Sequence, residues 1–172
     1  MRTVIVYESM FGNTERIARA IADGLAVSGG AEVVNVDDAP ADLTGIDLLI
    51  VGGPTHMHGM SNPTSRKSAA QQTDDVKSRN GLREWLDSLD SLPKEMTVAS
   101  FDTRLDKPRW LTGSAAAGAT KRLKRHGCKT ILSSESFFVA GSASDLGLAA
   151  GELERAHAWG EALAAAARRA HA

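Results

Sequence analysis

The residues best placed to do chemistry form one run: Tyr7-Glu8-Ser9-Met10-Phe11-Gly12-Asn13-Thr14. It joins a β-branched apolar stretch to a segment of helical periodicity. A helix that starts there offers main-chain N–H groups with no intrahelical partner and the positive end of a dipole. Ser9 and Thr14 add hydroxyls, Asn13 an amide, and Gly12 lets the backbone come close to a ligand. Such a loop holds a phosphate dianion without Lys or Arg. It lacks the GK[ST] ending of a Walker loop and the G-x-G-x-x-G of a dinucleotide fingerprint.

Two further clusters stand out. Gly52-Gly53-Pro54-Thr55-His56-Met57-His58-Gly59-Met60 carries His-x-His with two thioethers, which suits either solvent-facing loop residues or a soft-metal ligand set. No other soft ligand stands at metal-site spacing, and no metal is expected. Phe101-Asp102-Thr103-Arg104 is followed by Lys107, Arg109 and Trp110. Its Asp102 and Arg104 suit a local ion pair, and its cations suit either an anionic cosubstrate or solvent. Lys121, Arg122, Lys124 and Arg125 read as the solvated face of a helix. Cys128 reads as a packed thiol.

These clusters need a frame, and the apolar periodicity supplies one. Residues 3–7 read as a strand buried on both faces, and Ile17, Ala18, Ile21, Ala22 and Leu25 as a helix stopped by Gly29-Gly30. Strands follow at 32–36, 47–52 and 97–101, with a last one at 130–132 and 137–139. Helices are expected at 82–89, 115–125 and 151–169. Residues 37–47 have room only for a short helix or an irregular crossover. The polar stretch 61–80 is too long for a plain connection and reads as a lid or a floppy insertion in an otherwise single domain, 1–172. Trp85 and Trp159 fall on apolar helical stripes. Strands alternating with helices, joined by right-handed crossovers, make a doubly wound α/β fold. In such a sheet all three clusters gather beyond the carboxyl ends of the strands.

Tyr7-x-Ser9-x-x-Gly12-Asn13-Thr14 after a buried strand resembles the FMN-phosphate motif of the flavodoxin family. The resemblance implies a five-stranded parallel sheet in the order 2-1-3-4-5 within three α/β/α layers. It implies FMN, with the phosphate on Ser9, Met10, Phe11, Gly12, Asn13 and Thr14. Gly53, Pro54 and Thr55 match the family's second loop, which would set Pro54, Thr55, His56, Met57, His58 and Gly59 beside the flavin. The family's third loop falls on Phe101, Asp102, Thr103 and Arg104 by position only, since its Gly-Asp pair and aromatic stacker are missing. A receiver domain shares the topology but needs acidic residues where Tyr7 and Glu8 stand.

The resemblance implies a redox protein moving electrons or hydride through FMN. Electron-carrier members are usually strongly acidic, whereas this chain has a formal charge of −1. Arg104 near the pyrimidine edge would favour reduced, anionic flavin and two-electron chemistry. The expectation leans to an NAD(P)H oxidoreductase over a carrier; the redox partner is otherwise open. The alternative is a flavin-free flavodoxin fold serving as an interaction or phosphate-ligand module. Near-neutral charge gives no pull on nucleic acid or an anionic membrane. The single cysteine, and the lack of a signal pattern or long apolar run, lead us to expect a cytoplasmic protein.

Overall fold

The structure, a computed structural model, describes residues 1–93, 96–142 and 145–170. Its first strand, β1 (Thr3–Tyr7), is buried along its whole length, as its β-branched run requires. It lies between β2 (Glu32–Asn35) and β3 (Leu48–His56), parallel to both, with Val6 opposite Val34 on one side and Val51 on the other. β5 (Thr97–Leu105) pairs with β3, and the fifth position is filled by β6 (Lys129–Thr130) and β7 (Glu135–Ala140), both parallel to β5. The principal strands therefore run in the expected order 2-1-3-4-5. Two short antiparallel additions trim the sheet: β4 (Gly59–Met60) on β3, and β8 (Gly147–Leu148) on β7.

Helices cover both faces. On one lie α1 (Asn13–Leu25) and α6 (Glu152–Ala170), over Ile5, Ile50, Phe101 and Phe137. Phe101, Phe137 and Trp159 meet edge to face there, with ring centroids 6.2–6.3 Å apart. On the other lie α3 (Leu82–Asp87) and α5 (Ala115–Arg125), whose Leu86, Trp85 and Leu123 cover Val4, Leu49 and Val98. The basic residues of α5 face outward, apart from Arg122, which pairs with Asp87 at 2.8 Å. Cys128 is buried, and burial pushes its thiol pKa up. No described helix is long and apolar enough to cross a membrane.

Two departures from the sequence reading matter for the site. β5 runs on to Leu105, four residues past the expected end, because its polar tail pairs with β3 through Thr103 and with β7 through Leu105. The crossover into β3 holds, as expected, only a one-turn helix, Val36–Asp38. The 61–80 stretch carries a true helix, α2 (Pro63–Ala70). Asn62 and Ser65 form a capping box at its start, and Pro63 stands where a missing N–H costs nothing.

Candidate functional site

At the carboxyl ends of β1, β3 and β5 lies a cleft of about 860 Å³, within the range of small-molecule and cofactor sites. One end is the β1–α1 loop. Ser9 is folded back so that its hydroxyl accepts from the Gly12 N–H at 3.0 Å, while its own N–H donates to the buried Ser78 hydroxyl at 2.9 Å. Gly12 takes φ +92°, which a residue with a Cβ adopts only at a cost. No side chain caps α1. Among the described residues, the main-chain nitrogens of Met10, Phe11, Asn13, Thr14 and Glu15 have no partner. Five unpaired N–H donors thus stand at the positive end of the α1 dipole, where Ser9, Met10, Phe11, Asn13 and Thr14 line the cleft.

This loop rests on a strap that local sequence could not reveal. The Lys77 N–H donates to the Met10 carbonyl, and Ser78 bonds Asn35. The Asp37 carboxylate accepts from the N–H groups of Arg79 and Asn80. Lys77 passes close to Gly12: its Cε lies 4.0 Å from where a Cβ would stand. Its ammonium pairs with Asp75 at 2.5 Å. A cation therefore stands beside a loop expected to work without one.

Beneath the loop, Glu8 is buried, and its carboxylate accepts from the Ser61 hydroxyl and from the Leu82 N–H at 2.8 Å. Burial pushes its pKa up, against the pull of those hydrogen bonds and of Arg66. Arg66 bonds Ser61 and pairs with Glu84 at 3.1 Å, so the network ties α2 and α3 to the end of β1.

The second loop turns sharply. Thr55 pairs with Met60 and His56 with Gly59, leaving Met57 and His58 as a two-residue turn with φ of 44° and 73°. Primed turns of this kind suit the twist of a hairpin but favour Asn-Gly over Met-His. The turn is held from outside by a bridge between His58 and Gly113. Pro54, Thr55, His56 and Met57 line the cleft, whereas His58 and Gly59 do not. His56 Nδ1 lies 3.1 Å from the Ser65 hydroxyl of α2, and burial, helped by Arg66, lowers its pKa. Met60 is packed beneath α5 and Met57 is 84% exposed, so the four soft donors do not converge on a metal site.

On β5 the expected residues part company, because alternate side chains take opposite faces. Thr103 reaches the cleft and pairs its hydroxyl with that of Thr14 at 2.8 Å. Phe101, one pleat deeper, is core. Asp102 points to the other face, where it accepts from Ser114 Oγ at 2.6 Å and the Ala116 N–H at 3.0 Å at the start of α5. It makes no ion pair with Arg104. Arg104 lines the cleft, but its guanidinium donates to the Lys107 carbonyl at 2.6 Å and lies 5.0 Å from the centre of the Phe138 ring. Its charge braces the turn after β5, which leads into the one-turn helix α4 (Arg109–Thr112). The remaining wall sets polar residues on and after α2 (Asn62, Thr64, Ser65, Ser68 and Gln72), within the stretch read as a lid or insertion, beside the apolar Ala69, Val139 and Leu146. No tryptophan or tyrosine lines the cleft among the described residues; Phe11 does.

The comparisons with known proteins agree with this geometry. The family model for flavodoxin matches residues 5–101, which span β1, β3, the phosphate-type loop and the start of β5. Flavodoxin 1 from Bacillus cereus superimposes with a TM-score of 0.69 at 21% identity, over 98% of each chain. A flavodoxin from the domain Archaea gives 0.68 at 17% identity, over 98% of this chain and 99% of that one. A WrbA-like flavodoxin from Agrobacterium tumefaciens gives 0.59 at 22% identity, over 98% of each. No curated protein sequence matches the chain. The fold, the uncapped first loop and the family match lead to one conclusion: this chain belongs to the flavodoxin family, whose cofactor is FMN.

Proposed function

We propose that the chain binds FMN with its phosphate on the amides of Met10, Phe11, Asn13, Thr14 and Glu15 and its ring in the cleft bounded by Pro54–Met57, Thr103–Leu105 and α2, and works as an FMN-dependent oxidoreductase. The observation that carries this reading is the row of unpartnered amides opening on a cleft of cofactor size. Bound FMN would supply one- or two-electron transfer. The chain's own part is to neutralise the phosphate with amides, the Thr14 hydroxyl and Lys77, and to seat the ring against a polar helix. The exposed cations Lys107 and Arg109 and the near-neutral total charge favour an anionic donor such as NAD(P)H over a basic carrier partner.

The test has two parts. Apoprotein titrated with FMN should quench flavin fluorescence, and riboflavin, which lacks the phosphate, should bind at least about a hundredfold more weakly, as the loss of two charge-assisted hydrogen bonds requires. Equal affinity for the two places the phosphate elsewhere. The loaded protein should then consume NAD(P)H with a quinone acceptor; FMN binding without turnover would return the protein to the carrier class.

A further inference from the structure

We infer that His56 is a fixed hydrogen-bond acceptor in the cleft, set in its Nδ1–H form by Ser65 so that Nε2 is offered to a ring N–H of the bound flavin. The inference rests on the proposed FMN reading and adds a role for one residue of that site.

The Ser65 hydroxyl oxygen has three neighbours: the Asn62 N–H at 3.0 Å, the Asn62 carbonyl at 3.1 Å and His56 Nδ1 at 3.1 Å. A hydroxyl has one hydrogen and two lone pairs. The Asn62 N–H can only donate, so one lone pair accepts there. The Asn62 carbonyl can only accept, so the hydrogen goes to it. What meets His56 is the second lone pair, and Nδ1 must carry the hydrogen. This is the one assignment that makes all three contacts at once. Burial and the nearby Arg66 disfavour the imidazolium, so the ring holds that hydrogen and no other. Nε2 is then a lone pair, and it has no partner among the described residues.

The ring is positioned from both sides. His56 ends β3, where its pairing with Gly59 fixes the backbone, and Ser65 sits in the first turn of α2, locked by the capping box. Both residues line the cleft. An acceptor held there selects a partner with an N–H and rejects a carbonyl at the same spot, since two acceptors facing each other leave both unsatisfied. The flavin N3 carries its hydrogen in both the oxidised and the reduced state, so an acceptor facing N3 meets a donor in either, whereas one facing N5 meets a donor only after reduction.

The test is long-range ¹H–¹⁵N correlation of the imidazole nitrogens, in apoprotein and after addition of FMN. We expect a protonated Nδ1 and a bare Nε2 in the apoprotein, with the Nε2 resonance moving upfield when FMN binds. His56→Leu should weaken FMN binding by about threefold to tenfold, the worth of one neutral hydrogen bond. Ser65→Ala should give mixed tautomers and a smaller loss, and should add nothing in the His56→Leu background. If Ser65→Ala fails to fold for want of its cap, the His56→Leu titration and the wild-type spectrum decide alone. A hydrogen found on Nε2 in the wild type overturns the inference, as does unchanged FMN affinity in His56→Leu. Flavin fluorescence unquenched by the wild type overturns the FMN reading instead, and the apoprotein spectrum still reports the tautomer.

Discussion

The hydroxyls of Thr14 and Thr103 meet at 2.8 Å although 89 residues separate them in the chain. One sits in the first turn of α1 and the other near the end of β5, and both are buried at the cleft. The pair shares one hydrogen between them; when Thr103 is the donor, the Thr14 hydrogen is free for an anion at the start of α1. Thr103→Val leaves the Thr14 hydroxyl buried beside a methyl group and should cost about 1–2 kcal/mol of stability, with FMN affinity little changed. Thr14→Val should cost a similar amount and also weaken FMN binding by about 1.5–3 kcal/mol, the worth of a hydrogen bond to a charged group. The double variant should be more stable than the two single losses add up to. Urea unfolding and FMN titration of the three variants measure both effects.

Lys77 stands beside Gly12 with its ammonium on Asp75. Both side chains are exposed, so the pair itself contributes little to folding. Lys77→Met should leave the unfolding midpoint unchanged, lower FMN affinity by less than about tenfold, and flatten the dependence of that affinity on ionic strength. An unaltered salt dependence would show that Lys77 stays with Asp75 when the phosphate arrives.

Glu8 gives a pH prediction with a definite sign. Its folded pKa is raised above the ordinary carboxyl value of 4.5, chiefly by burial. Between the two values the folded state holds the proton more tightly than the unfolded state does. Glu8 therefore contributes stability that is full below the ordinary value and is lost as pH rises through the folded one. Glu8→Gln can still accept from Leu82 and donate to Ser61, so it should be no less stable than wild type at neutral pH and should lose this part of the pH dependence. Glu8→Ala strands the Leu82 N–H and should cost about 1–3 kcal/mol. Denaturant midpoints from acid to neutral pH would read all three.

Gly52 and Gly53 are neighbours with opposite tolerances. A Cβ on Gly52 would overlap the Phe101 ring, itself wedged between Phe137 and Trp159. On Gly53 the nearest atom is Leu82 Cδ2 at 3.4 Å. Gly52→Ala should destabilise by about 2–3 kcal/mol, the usual cost of overpacking, and Gly53→Ala by less than about 1 kcal/mol. Thermal or urea unfolding of the two proteins separates them.

By itself the sequence determined the sheet and the first loop, while the strand order came with its resemblance to the flavodoxin family. The β-branched run at 3–7, the helical stripe from Ile17 to Leu25 and the buried run at 48–51 are local signals, since burial on one face or both imposes its period on neighbouring residues. Ser9, Gly12, Asn13 and Thr14 were legible because a turn and a helix start must be built from adjacent residues.

Tertiary structure alone decided which side chains of the later loops reach the cleft. Asp102 and Phe101 sit one residue from Thr103, yet pleat and depth take them to the α5 cap and the core. His56 enters the site while His58 is drawn off by Gly113. The wall on α2 and the strap through Ser78 gave no periodic signal. The strap is held by hydrogen bonds to Asn35, Asp37 and Ser9, 42–69 residues away, and α2 is tied in through Ser61, Glu8 and Glu84; no local pattern of apolar residues encodes contacts made of polar atoms across such distances.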